Sequence, residues 1–256
     1  MRWAAVILAV AAVVAGCGGG DEQTAEQPAR QPLVVSAAAS LKDAFTSYGA
    51  SFRGADVKLS FAGSDELAAQ IRQGVKPDVF AAANTKLPDE LFAPGLVEKP
   101  TVFAGNELVI AVPASRTKIH SLDDLAAPGV KLAIGAKGVP VGDYTRKVLD
   151  GLPAAQRKAI LENVRSNEPD VKGVVGKLTQ GAVDAGFVYR SDVRAADDEL
   201  KAITLPAALE PKVAYGAAVV KGAKHPEQAR AFVRGLLDGA GAKALQAAGF
   251  LPPPAS

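Results

Sequence analysis

From Leu33 to Ala247, short apolar runs alternate with stretches whose apolar residues recur at helical spacing, and most connections are brief. That alternation is the strongest constraint in the chain, because it packs as α/β architecture with parallel sheets. Expected strands are Leu33–Ala37, Val57–Phe61, Val79–Ala82, Glu107–Val112, Lys131–Ile134, Ala185–Val188, Ala202–Leu205 and Val213–Val220. Expected helices are Leu41–Phe52, Asp65–Gln73, Val141–Leu149, Ala154–Glu162, Val171–Gln180, Glu227–Leu237 and Ala242–Ala247. No fixed-period repeat is visible. Pro113 and the polar "ASRTKIHS" follow the strand "NELVIAV" and mark a crossing to a second unit, while "KVAYGAAVV" reads as the return. Residues 33–111 with 213–256 would then form one lobe and residues 112–212 an inserted one, hinged as a clamp around a cleft.

The N-terminus reads differently. "MRWAAVILAVAAVVAGC" has one arginine, an apolar core from Trp3 to Val14 and small residues before Cys17, which is a processing signal too short to span a bilayer comfortably. "VAGC" resembles a bacterial lipobox, which implies that residues 1–16 are removed and Cys17 is lipidated. Cys17 is the only cysteine, so an internal disulfide and a thiolate metal cluster are both ruled out. Residues 18–32, "GGGDEQTAEQPARQP", cannot bury enough surface to fold and read as a flexible tether with a reach of roughly 20 Å. The folded part is therefore expected outside the cytoplasm, anchored to the membrane through Cys17.

Lys and Arg total 29 against 27 Asp and Glu, with no block of like charges, so there is no electrostatic footprint for nucleic acid. The familiar catalytic sets are missing as well. His120 lies in a polar loop and His225 precedes Pro226, positions that suit surface roles. There is no HExxH, and "GAKGVPVGD" fits neither a P-loop nor a dinucleotide fingerprint. No Gly-x-Ser-x-Gly elbow occurs. Neither covalent chemistry nor a bare metal-ion site is expected.

What remains is a set of helix starts. Ser40 follows the run "LVVSAAA"; Ser64 stands in "FAGSDEL"; Val141 stands in "GVPVGDY"; Val171 stands in "NEPDVKGVV". The first N–H groups of a helix have no partner within it and carry the positive end of the dipole, so several such ends converging on one point would bind an oxyanion. Taken singly, these residues read as caps. Ser40 with Asp43 fits a capping box, and Asp170 suits the N-cap before Val171. Tyr189, closing the strand "AGFVY", reads by itself as a packed ring with a wet hydroxyl.

Together the motifs "AAASLKDAF", "FAGSDELAAQIRQG", "PDVFAAAN", "GVPVGDYTRKVL", "EPDVKGVVGKL" and "AGFVYRSDV" stand in the order found in molybdate-binding proteins of ABC importers. "YGAAVVKGAKHPEQARAFVRGL" and the later "AGF" resemble that family's closing strand, helix and final motif, so the resemblance covers Leu33 to Phe250. It implies the type II periplasmic-binding-protein fold, two α/β lobes joined by a two-strand hinge. It also implies a monomeric receptor, not an enzyme, that passes molybdate or tungstate to a permease and its ATPase subunits, with no cofactor. The ligand-holding positions of the family fall on Ser40, Ser64, Val141, Val171 and Tyr189. One departure stands out: where the family usually has Ser-Ser, this chain has Ser64-Asp65, and Asp65 is expected to point to solvent. Molybdate, tungstate and sulfate are fully deprotonated near neutral pH and need only donors, whereas phosphate keeps a proton and favours an acceptor. Three alternatives stay open: a receptor for sulfate or phosphate, a serine hydrolase using Ser40 or Ser64, and a structural surface lipoprotein.

Overall fold

The computed structural model describes residues 31–115 and 118–254. The expected leader, Cys17 and most of the tether lie outside the described residues. The chain begins with β1 (Pro32–Ala38), α1 (Lys42–Ser51), β2 (Asp56–Ala62), α2 (Ser64–Arg72), β3 (Val79–Ala82), α3 (Lys86–Phe92) and β4 (Thr101–Asn106). It continues through β5 (Leu108–Pro113), β6 (Leu132–Gly135), α4 (Pro140–Asp150), α5 (Ala154–Glu162), β7 (Val164–Glu168), α6 (Val171–Thr179), β8 (Ala185–Tyr189), α7 (Arg190–Arg194) and β9 (Leu200–Thr204). It closes with β10 (Val213–Val219), α8 (Pro226–Asp238) and α9 (Ala240–Ala247).

The strands form two five-stranded sheets, ordered β2-β1-β3-β10-β4 and β7-β6-β8-β5-β9. Helices cover the sheets with apolar stripes: Val141, Thr145, Val148 and Leu149 are buried on α4, and Ala229, Phe232, Val233 and Leu236 on α8. One apolar cluster runs through both sheets, and a smaller one, including Leu67, Ile71, Phe80 and Leu91, lies under α2 and α3. Among the described residues no helix is long and apolar enough to cross a membrane.

The sheets are mixed, not purely parallel. β10 runs antiparallel to β3 and β4, and β5 runs antiparallel to β8 and β9. The cause is the connectivity. The parallel strands of each sheet end at the cleft, and β5 and β10 enter their sheets from the opposite lobe, so they must run the other way. The crossing also differs from expectation. Residues 108–111, expected in the first lobe, belong to the second sheet as part of β5, so the chain crosses between β4 and β5 and not at Pro113. β4, "TVFAGN", follows Pro100 and has only three strand formers before Ala104-Gly105-Asn106, too short a run to stand out beside the longer apolar β5; without it, β5 looks like the first lobe's last strand. β7, "VRSNE", is a polar edge strand, and α3 carries Pro88 in its first turn, so both lacked a pattern to find.

Candidate functional site

The cleft lies at the C-terminal ends of the parallel strands, where open α/β sheets place their ligands. β1 passes into α1 through a 3-10 turn, Ala39–Leu41, that holds Ser40. β2 ends at Ala62, Gly63 turns the chain, and Ser64 is the first residue of α2. From the other lobe, Val141 is the second residue of α4 and Val171 the first of α6. Tyr189 is the last residue of β8. All five line one small pocket, together with Ala83. The pocket is small, which suits a compact inorganic ion better than a sugar or peptide.

The pocket wall depends on close backbone approach. A Cβ at Gly63 would lie 2.5 Å from the Pro169 carbonyl oxygen, so the two lobes touch at this rim. A Cβ at Gly142 would lie 2.1 Å from the Ala136 carbonyl oxygen, so only glycine lets the start of α4 seat against the end of β6.

Each polar group has a distinct disposition. The Ser64 hydroxyl accepts a hydrogen bond from the Ala83 N–H at 3.1 Å and keeps its own proton for donation. Ser40 is not a helix cap: Leu41 holds that position for α1 and Ala38 for the 3-10 turn, and the Ser40 Oγ lies 3.0 Å from the Tyr215 hydroxyl. Asp170 does cap α6, accepting from the Gly173 N–H at 2.9 Å, which commits one of its carboxylate oxygens. The Tyr189 hydroxyl is buried with no hydrogen-bond partner. Burial above all, with the Tyr215 and Tyr144 phenols and the Asp192 and Asp143 carboxyls nearby, pushes Tyr189 well above the usual tyrosine range, so it stays a donor. Among the described residues no Lys, Arg or His lines the pocket, and Asp170, the cap of α6, is the one charged residue in its lining.

Asp65 departs from expectation. It is half-buried, and one carboxylate oxygen lies out of solvent without a hydrogen-bond partner. It sits in the first turn of α2, where the helix dipole favours negative charge, and it is not among the pocket-lining residues.

Three supporting residues carried little or no local signal. Asp192, fully buried, accepts from the Tyr189 N–H at 3.2 Å and so holds the end of β8. Its Oδ1 lies 3.4 Å from Lys172 Nζ, which also pairs with Asp43 across the cleft at 3.5 Å. Burial raises the Asp192 carboxyl to about 6, with Lys172 and the Tyr189 N–H opposing the rise. Tyr215 and Asn106 complete the set. Only the "VYRSDV" motif hinted at Asp192, and nothing in "KVAYGAAVV" distinguishes Tyr215 from an ordinary buried ring.

A family model described as "Bacterial extracellular solute-binding protein" matches residues 33–251. The chain belongs to that family. Among relatives of this solute-binding protein, the molybdate-binding protein ModA of Mycobacterium tuberculosis is 37% identical over 267 residues, spanning 99% of this chain and 100% of the relative. The molybdate-binding protein ModA of Escherichia coli is 32% identical over 202 residues, spanning 74% of this chain and 77% of the relative. The periplasmic molybdate-binding protein of Azotobacter vinelandii superposes with a TM-score of 0.77 over 87% of this chain and 100% of its own, at 22% identity. The solute-binding protein shares its two-lobed type II fold.

Proposed function

We propose that this solute-binding protein captures molybdate, and tungstate with it, and delivers the anion to the permease and ATPase subunits of an ABC importer. In this reading residues 33–106 and 213–256 close against residues 107–212 around the ligand. Ser40, Ser64 and Tyr189 donate through hydroxyls, and Val141 and Val171 through backbone amides. The observation that carries the proposal is the Tyr189 hydroxyl, a buried donor with no partner, set in a pocket that offers other donors and no cation. An orphaned buried hydroxyl costs free energy unless a ligand or water accepts its hydrogen bond. The identity to molybdate-binding relatives supports the choice of anion.

Charge-assisted hydrogen bonds contribute roughly 1.5–3 kcal/mol each. Five of them in a pre-shaped cleft suffice for a dissociation constant between about micromolar and nanomolar. Molybdate and sulfate have the same donor needs, so cavity size separates them. Titration calorimetry with molybdate, tungstate, sulfate and phosphate tests the reading. Molybdate and tungstate should bind most tightly, and tight phosphate binding with no molybdate response would overturn it. The proposal also makes the protein a monomer, extracytoplasmic and lipid-anchored through Cys17. Mass spectrometry of the N-terminal peptide from membrane-extracted protein should find a lipidated cysteine.

A further inference from the structure

The bond between Ser40 and Tyr215 joins two hydroxyls 175 positions apart, and only one of them can donate in it. The phenol is the stronger acid and therefore the better donor, while the alkyl hydroxyl oxygen is the better acceptor. The surroundings of Tyr215 favour the same direction. Asn106, the last residue of β4, uses its Oδ1 to accept from the Glu107 N–H at 2.9 Å and its Nδ2 to donate to Ser191 Oγ at 2.8 Å. Its second amide hydrogen is not used in these two bonds, and Asn106 helps to lower Tyr215 against the effect of burial. Burial pushes Tyr215 well above the usual tyrosine range, so its proton is not lost. Donation then runs from Tyr215 to Ser40, and the Ser40 proton is left for the pocket. Tyr215 is held by ring contacts with Tyr189 at 5.8 Å and Phe250 at 5.2 Å, so the chain of donors has a fixed frame.

We infer that Tyr215 is a positioning residue that makes Ser40 an obligate donor, and that it thereby favours fully deprotonated tetrahedral anions over those that carry a proton. The inference rests on the oxyanion-receptor reading above. A free serine hydroxyl can turn and accept from a protonated anion. One whose oxygen already accepts from Tyr215 has a single lone pair left, and turning that toward a protonated anion would leave its own proton without a partner, so donation to the ligand is favoured.

The test is a double-mutant cycle on the full chain, Ser40→Ala, Tyr215→Phe and both, read by calorimetry with molybdate, sulfate and phosphate. Tyr215→Phe should weaken molybdate and sulfate in parallel by about tenfold and narrow the preference for molybdate over phosphate by a similar factor. In the Ser40→Ala background it should change molybdate affinity by less than about twofold. Unchanged molybdate affinity in Tyr215→Phe would overturn the inference, as would an equal loss with and without Ser40, or a parallel loss for all three anions. Should Tyr215→Phe fail to fold, 3-fluorotyrosine at position 215 keeps the shape and strengthens the donor. It should tighten molybdate binding when Ser40 is present and have no effect when it is absent; no effect in either background would overturn the inference. If the unaltered protein binds none of the anions, it is the receptor reading that fails.

Discussion

The two walls of the pocket are built from different material. The first lobe presents hydroxyls, Ser40 and Ser64, each already engaged with its own lobe through Tyr215 or the Ala83 N–H. The second lobe presents the starts of α4 and α6, plus one hydroxyl, Tyr189, that has no partner at all. The contrast shows two ways of making a donor. A side-chain donor is set by the residue and its hydrogen-bond neighbours. A backbone donor is set by helix geometry and the close contacts that seat the helix, whatever the side chain. The first wall should therefore be sensitive to chemistry and the second to shape.

Substitutions can break that contrast. The largest effect is expected at the contact between the walls: Gly63→Ala puts a Cβ 2.5 Å from the Pro169 oxygen. It should weaken molybdate binding by about a hundredfold or more, and because the same Cβ would lie 2.9 Å from Asp65 Oδ1 within the first lobe, a modest fall in the melting temperature of the ligand-free protein is also expected. A large drop in that temperature would instead make Gly63 a folding requirement. Next comes Tyr189→Phe, which should cost about tenfold to a hundredfold in affinity and slightly raise ligand-free stability, because it deletes a buried unsatisfied hydroxyl. Ser64→Ala should differ in kind, losing about tenfold in affinity and also about 1 kcal/mol of stability, because it orphans the Ala83 N–H. Paired calorimetry and thermal melts distinguish these two hydroxyls.

The second wall also carries a pH signature. Asp192 has its carboxyl raised to about 6, against an ordinary value of 3.8. Between those values the folded state binds more protons than the unfolded one, so the contribution is fully present below about 4 and lost as pH rises through about 6. Stability at pH 5 should exceed that at pH 7 by about 1 kcal/mol from this group, and Asp192→Asn should flatten the difference in urea melts. The smallest effect is expected from Val141→Ala and Val171→Ala, within about threefold in affinity. A large loss from either would show that the side chains, not the amides, shape that wall.

Much of the site was legible because its positions coincide with local events. Ser64, Val141 and Val171 stand where a strand gives way to a helix, and both strand and helix announce themselves through periodicity. Their convergence was not legible locally, since it depends on which strand ends share a cleft. Reading Ser40 as a cap failed for a related reason. The local pattern Ser-x-x-Asp is satisfied, yet the hydroxyl is taken by a tyrosine on the last strand of the sheet. Asp65 likewise reads as a surface residue of an early helical turn, and only the packing around α2 hides one of its oxygens.

Short-range periodicity thus determined the α/β class, most elements and the helix starts that could hold an anion, because strand and helix signals repeat within a few residues. Tertiary structure decided the rest: the reversed directions of β5 and β10, the crossing after β4, the contact of Gly63 with Pro169, and the hydrogen bond between Tyr215 and Ser40. A hydrogen bond between residues 175 positions apart leaves no mark on the residues beside it. It exists only once two sheets and the strands between them have fixed where each hydroxyl lies.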